Sequence, residues 1–170
     1  SLVGSEMCIR DSLNPFDYET FDKNPSKGYA VVTNIETGLA EYLPMKNMRR
    51  DIEAVRASAS MPLVSRPVEI NGKMYLDGGL ADSIPLLHAV TDGCRKNVVV
   101  MTKETGYRRV QPKHLELIKA RYAKYPKVYE LMANRAVAYN QQLDYLEAEV
   151  KNGTAFLIQP SHPNAVSYTH

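Results

Sequence analysis

Cysteine is scarce in this chain. Cys8 and Cys94 are the two present, far apart and outside any C-x-x-C spacing, which excludes a disulfide framework and a compact zinc site. A reducing, cytoplasmic setting is therefore the default, and Cys94 reads as a small buried hydrophobe beside a helix end. Long apolar runs are missing too, and no stretch reaches the about eighteen residues of a spanning helix. The formal charge is only +2 and no Lys/Arg run reaches five residues, so nothing argues for nucleic acid. No H-x-x-x-H or H-E-x-x-H pattern supports a metal, and no cofactor is expected. Neither a G-x-G-x-x-G nor a P-loop occurs, so a nucleotide-binding domain has no support. Repeats and low-complexity segments are absent.

What is present suits one globular domain, with 44% hydrophobic and 24% charged residues in a chain of 170. Residues 14–25 read as loop with at most a short helical turn. Tyr29 to Ile35 reads as a buried strand, with Leu39 to Leu43 as its hairpin partner across Thr37-Gly38. From Met45 the period becomes helical, with Met48, Ile52, Val55 and Ala59 on one face, until Pro62 ends it. The small residues 57–60 at its end suit close packing, which favours a structural role for Ser58 and Ser60. Asn97 to Thr102 is almost wholly apolar at first, the mark of a strand buried on both faces. Lys103, Arg108 and Arg109 lie in the polar loop that follows, either merely solvated or forming an anion-attracting rim.

Pro112 opens a helical segment, and Pro126 opens a long helix to Lys151. Its stripe of Val128, Leu131, Met132, Tyr139, Leu143, Leu146 and Val150 is broken by Arg135 and Gln142. Five tyrosines, at 122, 125, 129, 139 and 145, read as core edges with wet hydroxyls. Thr154 to Gln159 is a last strand. Strand, helix and strand in succession give a crossover unit, so the expected class is α/β, layered, with helices flanking a sheet.

The stretch Val68 to Pro85, VEINGKMYLDGGLADSIP, organises the rest. Asn71-Gly72 lies between two short alternating runs, the strongest short-range signal for a two-residue hairpin. The second run ends on Asp77, and Gly78 and Gly79 then allow a sharp turn and close approach. Asp82 or Ser83 offers a helix cap, and Pro85 fits a first turn, so the next helix should bury Leu86, Leu87, Ala89 and Val90. Asp77 is expected at the rim of a concave site at a strand end. His88, in this helix, has no carboxylate at helical spacing that would orient it usefully.

RASASMPL, a short hairpin, YLDGG and a Pro-started helix together resemble the second catalytic block of the patatin-like phospholipases. NPFDYETF, VVTNIETG and the Tyr-rich helices extend the likeness from about Asn14 to Ser161. The resemblance implies an α/β-hydrolase-like layered fold that is incomplete at its N-terminal side. It implies a serine acyl hydrolase acting on lipid or phospholipid esters, with transient contact to a membrane surface. In that family the Asp of Asp-Gly-Gly pairs with a Ser in a G-x-S-x-G elbow, which makes Asp77 the base of a Ser-Asp dyad, with Gly78 and Gly79 as its turn. No G-x-S-x-G occurs here, so the nucleophile and the glycine-rich oxyanion loop are expected upstream of Leu13.

Residues 1–12, SLVGSEMCIRDS, and 166–170, VSYTH, resemble translated sequencing-adapter DNA and are set aside as non-native. Residues 13–165 are then expected to be the C-terminal part of a patatin-like domain, a fragment inert by itself. The alternative is a non-catalytic α/β scaffold or binding module, which would tolerate replacement of Asp77.

Overall fold

The computed structural model describes residues 16–113 and 115–162. The expectations for both end segments, for Cys8 and for His114 lie outside the described residues. The chain opens with α1 (Tyr18–Lys23), capped by Asp17, whose carboxylate accepts the Thr20 N–H. An antiparallel sheet follows, built from β1 (Gly28–Asn34), β2 (Ala40–Met45), β3 (Val68–Ile70) and β4 (Lys73–Asp77) in the order β2-β1-β4-β3. Asn71 and Gly72 both adopt positive φ, 51° and 76°, so the β3–β4 hairpin turns as the Asn-Gly pair predicts.

Between β2 and β3, α2 (Met48–Ser58) packs on the sheet, with Asn47 as its cap. The expected face is only half packed: Met48 and Ile52 are half-buried, Val55 and Ala59 are exposed, and the fully buried residues are Ala54 and Ala57. Two methyl side chains let the helix lie close to Val32, Val68 and Tyr75 of the sheet. Val55, about 100° from Ala54 around the axis, is turned outward.

After β4 come a 3-10 turn (Gly78–Leu80) and α3 (Leu86–Thr91). β5 (Asn97–Val100) does not join the first sheet. It pairs in parallel with β6 (Ala155–Ile158), Val98 facing Phe156 and Val100 facing Ile158, through a crossover made of α4 (Leu115–Arg121) and α5 (Pro126–Lys151). The fold is α/β as expected, but its strands form two sheets rather than one. With a single partner strand and one packed face, β5 is not buried on both sides. Val98 and Val100 are 67% and 70% exposed, and only Val99 turns toward the core.

The helix α5, 26 residues and so about 39 Å long, ties the two sheets together. Its first half sets Val128 and Met132 against Ile35, Leu76 and Leu80. Its second half sets Tyr139 and Leu146 against Ile84, Leu86 and Ala155. The residues between those halves face the end of β4.

Candidate functional site

Asp77 is the last residue of β4, and three interactions fix its backbone. It faces Val32 across the β1–β4 ladder, its N–H donates to the Ser60 carbonyl at 2.9 Å, and its carbonyl accepts the Thr33 hydroxyl at 2.8 Å. Thr33 is fully buried and its Oγ1 also accepts the Ala81 N–H at 3.2 Å, so one hydroxyl closes both ends of the turn. Within the turn, Asp77 Oδ1 accepts the Gly79 N–H at 2.6 Å. Oδ2 accepts no hydrogen bond from any described residue, and no described Lys or Arg forms an ion pair with this half-buried carboxylate.

The two glycines do different work. A Cβ on Gly78 would lie 2.3 Å from the Val31 carbonyl oxygen, so this glycine permits backbone-to-backbone contact with β1. A Cβ on Gly79 would instead meet side-chain ends, Asp77 Oδ1 at 3.1 Å and Arg135 Nη2 at 3.6 Å. Gly79 thus leaves room for a carboxylate and a guanidinium to share one side of the turn.

The turn is held from α5 by the polar residues that interrupt its apolar stripe. Arg135 Nε donates to the Gly79 carbonyl at 3.2 Å. Gln142 Oε1 accepts the N–H groups of Ser83 and Ile84, at 3.1 and 3.0 Å, and its Nε2 donates to Asp82 Oδ1 at 2.8 Å. Asp82 also accepts the Tyr42 hydroxyl. Ser83 gives its hydroxyl to the Gly79 carbonyl at 2.7 Å. Neither Asp82 nor Ser83 therefore caps α3, where Pro85 occupies the cap position without a side-chain bond.

Charge near Asp77 is set by burial. Desolvation lowers the pKa of the Arg135 guanidinium; neighbouring Arg109 pushes the same way and Asp77 opposes it. Burial and then the Asp82 carboxylate raise the Tyr42 phenol. Tyr42 stacks on His88 with ring centroids 3.4 Å apart, and His88 Nε2 lies 3.4 Å from Asp92 at i+4. Contrary to the expectation for His88, Asp92 supplies a carboxylate one turn on.

Several other candidates fall away from the site. The Ser60 hydroxyl is committed to the Arg56 carbonyl at 2.7 Å. Leu87 is exposed rather than buried, since α3 has only one packed side and Leu86 takes it. Cys94 is exposed, because the chain leaves α3 through Gly93 and turns outward. Arg108 is neutralised by Asp144 and Glu147 of α5. One depression of about 510 Å³ lies along α1 and Arg49, and another of about 370 Å³ is lined by Val90, Cys94 and Glu149. Neither includes Asp77 in its lining, so neither is the expected hollow. Among the described residues no group of His, Cys, Asp and Glu could hold a metal, and no helix is long and apolar enough to cross a membrane.

Residues 12–90, which include Asp77, match the patatin-like phospholipase family. Residues 125–170 match a domain of unknown function, DUF6363, and so contribute Arg135 and Gln142. The uncharacterized protein YjjU of Escherichia coli (strain K12) is 39% identical over 62 residues. That match spans 36% of this chain and 17% of the length of that protein. Asp77 and Gly79 thus come from one matched region and the side chains that hold their turn from the other.

Proposed function

We propose that this chain carries the base half of a patatin-like lipid acyl hydrolase, with Asp77 as the base of a Ser-Asp dyad. The nucleophilic serine and the oxyanion donors stand on a preceding segment of a longer protein. The observation that carries this reading is the state of the Asp77 carboxylate. One oxygen is anchored by the Gly79 N–H, and the other is free of any described hydrogen bond or ion pair. A serine hydroxyl is a weak nucleophile until a positioned base takes its proton, and the unengaged oxygen of a fixed carboxylate suits that task.

Lipid-ester substrates and contact with a membrane surface fit the flank of the site. Met61, Leu63 and Val64 are 51%, 45% and 74% exposed, in the loop that starts beside Ser60, the partner of the Asp77 N–H. Leu63 holds a positive φ of 69° and gives its N–H to the Tyr122 hydroxyl at 3.2 Å, so these apolar side chains are presented on a fixed loop.

The test is hydrolysis of a diacyl phospholipid by the chain of 170 residues and by the longer protein. The groups of an acyl-transfer site act as a unit, so the base without its nucleophile retains almost none of the acceleration. The short chain should be inert and the longer protein active. Turnover by the short chain alone would refute the assignment of the serine to another segment.

A further inference from the structure

Arg135 reaches the Asp77 turn from α5, Arg109 lies beside Tyr139 one helical turn further along that helix, and neither forms an ion pair with a described residue. Arg109 is locked onto α5 through its backbone, its N–H donating to Asn140 Oδ1 at 2.9 Å and its carbonyl accepting Asn140 Nδ2 at 3.1 Å. Its guanidinium carbon lies 4.7 Å from the centre of the Tyr139 ring, one helical turn from Arg135. Arg109 Nε is buried and has no hydrogen-bond partner among the described residues. Among the described residues Arg135 commits only its Nε, to the Gly79 carbonyl, and its Nη2 lies on the side of Gly79 that also holds Asp77 Oδ1. Arg108, next in sequence, shows the contrast, because two carboxylates of α5 already hold it.

A buried, unpartnered donor and two like charges held close together are each unfavourable in isolation. They become favourable when an oxyanion sits between them, since a guanidinium presents a planar fork of donors matched to such groups. The two guanidinium charges are opposed by Asp77, while the Asp82 carboxylate of the same turn is taken up by Tyr42 and Gln142. A phosphodiester supplies a further negative charge, and a planar donor fork suits its oxygens.

We propose that Arg109 and Arg135 form an oxyanion site that holds the phosphodiester of a phospholipid headgroup beside Asp77. The headgroup identity rests on the acyl-hydrolase reading, whereas anion binding does not. The lowered pKa of Arg135 agrees with a site that is desolvated and short of negative charge. Bound in this way, the phosphate would set the distance between headgroup and reacting ester, and so which ester bond meets the dyad.

The experiment is a titration of the isotopically labelled full chain, following the Gly79 amide and the Arg109 and Arg135 Nε signals by NMR. The probes are glycerophosphocholine, inorganic phosphate and acetate. Glycerophosphocholine has no acyl ester, so its binding is independent of hydrolysis. It should shift these signals saturably, inorganic phosphate should compete with it, and acetate should bind far more weakly. Arg109→Gln and Arg135→Gln should each weaken binding about tenfold, the loss of roughly one charge-assisted hydrogen bond. Arg108→Gln should bind as the parent does. No saturable shift with glycerophosphocholine in the unsubstituted chain would overturn the proposal whatever the variants do. Phosphate bound without glycerophosphocholine would overturn the headgroup assignment, and acetate bound as tightly would overturn the phosphate assignment. An inactive longer protein whose anion binding is intact would refute the hydrolase reading alone.

Discussion

Replacing Gly78 by alanine puts a methyl group 2.3 Å from the Val31 carbonyl oxygen, 2.5 Å from its carbonyl carbon and 2.8 Å from its Cγ1. Two of those three atoms are backbone of β1, an interior strand of the four-stranded sheet, so no rotamer change relieves the contact. Alanine gains about 0.4–1 kcal/mol by restricting the unfolded chain. Overpacking of this kind costs about 1–3 kcal/mol when side chains can yield, and here backbone must yield. The net expectation is a loss of about 3 kcal/mol, which for a chain of this size lowers Tm by about 6–12 °C. Gly79→Ala is the internal control. Its methyl would meet the ends of Asp77 and Arg135, so stability should change by less than about 1 kcal/mol while the carboxylate is displaced. Urea unfolding of both variants, with m checked for constancy, measures the difference. Equal stability of the two variants would refute the close approach of the turn to β1, and with it the geometry given to Asp77.

Gln142→Ala removes three hydrogen bonds to Asp82, Ser83 and Ile84, and should lower stability by about 1–3 kcal/mol in denaturant unfolding. Its loosened turn should also exchange the Ser83 and Ile84 amides faster than the parent does. Asp51 titrates at about 2, below the ordinary 3.8, first because of its hydrogen bond with Arg50 and then because it accepts the Asn47 N–H. A depressed folded-state value means stability present above pH 4 and lost as pH falls through about 2, so Asp51→Asn should flatten that acid limb in a pH series of melts. Val64→Asp should weaken binding of the chain to phosphatidylcholine vesicles in a sedimentation assay without changing its Tm, because that side chain is 74% exposed.

Local backbone chemistry was legible in the sequence, and burial was legible only where the packing partner could be guessed. Asn71-Gly72 specifies its hairpin because positive φ at both positions is a property of those two residues. The turn at Asp77 is likewise encoded by the glycines that follow it. The buried face of α2 was misjudged because volume ranked Val55 above Ala54 and Ala57, whereas close approach to a sheet favours methyl groups. The apolar run at β5 signalled burial on both sides, but whether a strand has one neighbour or two is decided by the rest of the sheet. Arg135 and Gln142 carried the most informative signal, as polar breaks in an otherwise apolar stripe. A break in a buried face marks a position where the helix meets polar backbone, here the turn from Gly79 to Ile84.

The measurement that bears most directly on the central claim is kcat for a phospholipid ester in the longer protein, with and without Asp77→Asn. The substitution keeps the shape of the side chain and an oxygen to accept the Gly79 N–H, so the fold should melt within about 1 kcal/mol of the parent. It removes the proton acceptor, and loss of a positioned general base lowers the rate by about 100- to 10,000-fold. The account predicts that loss, with headgroup binding at Arg109 and Arg135 retained. An Asp77→Asn protein that turns over lipid ester at the parental rate would contradict it.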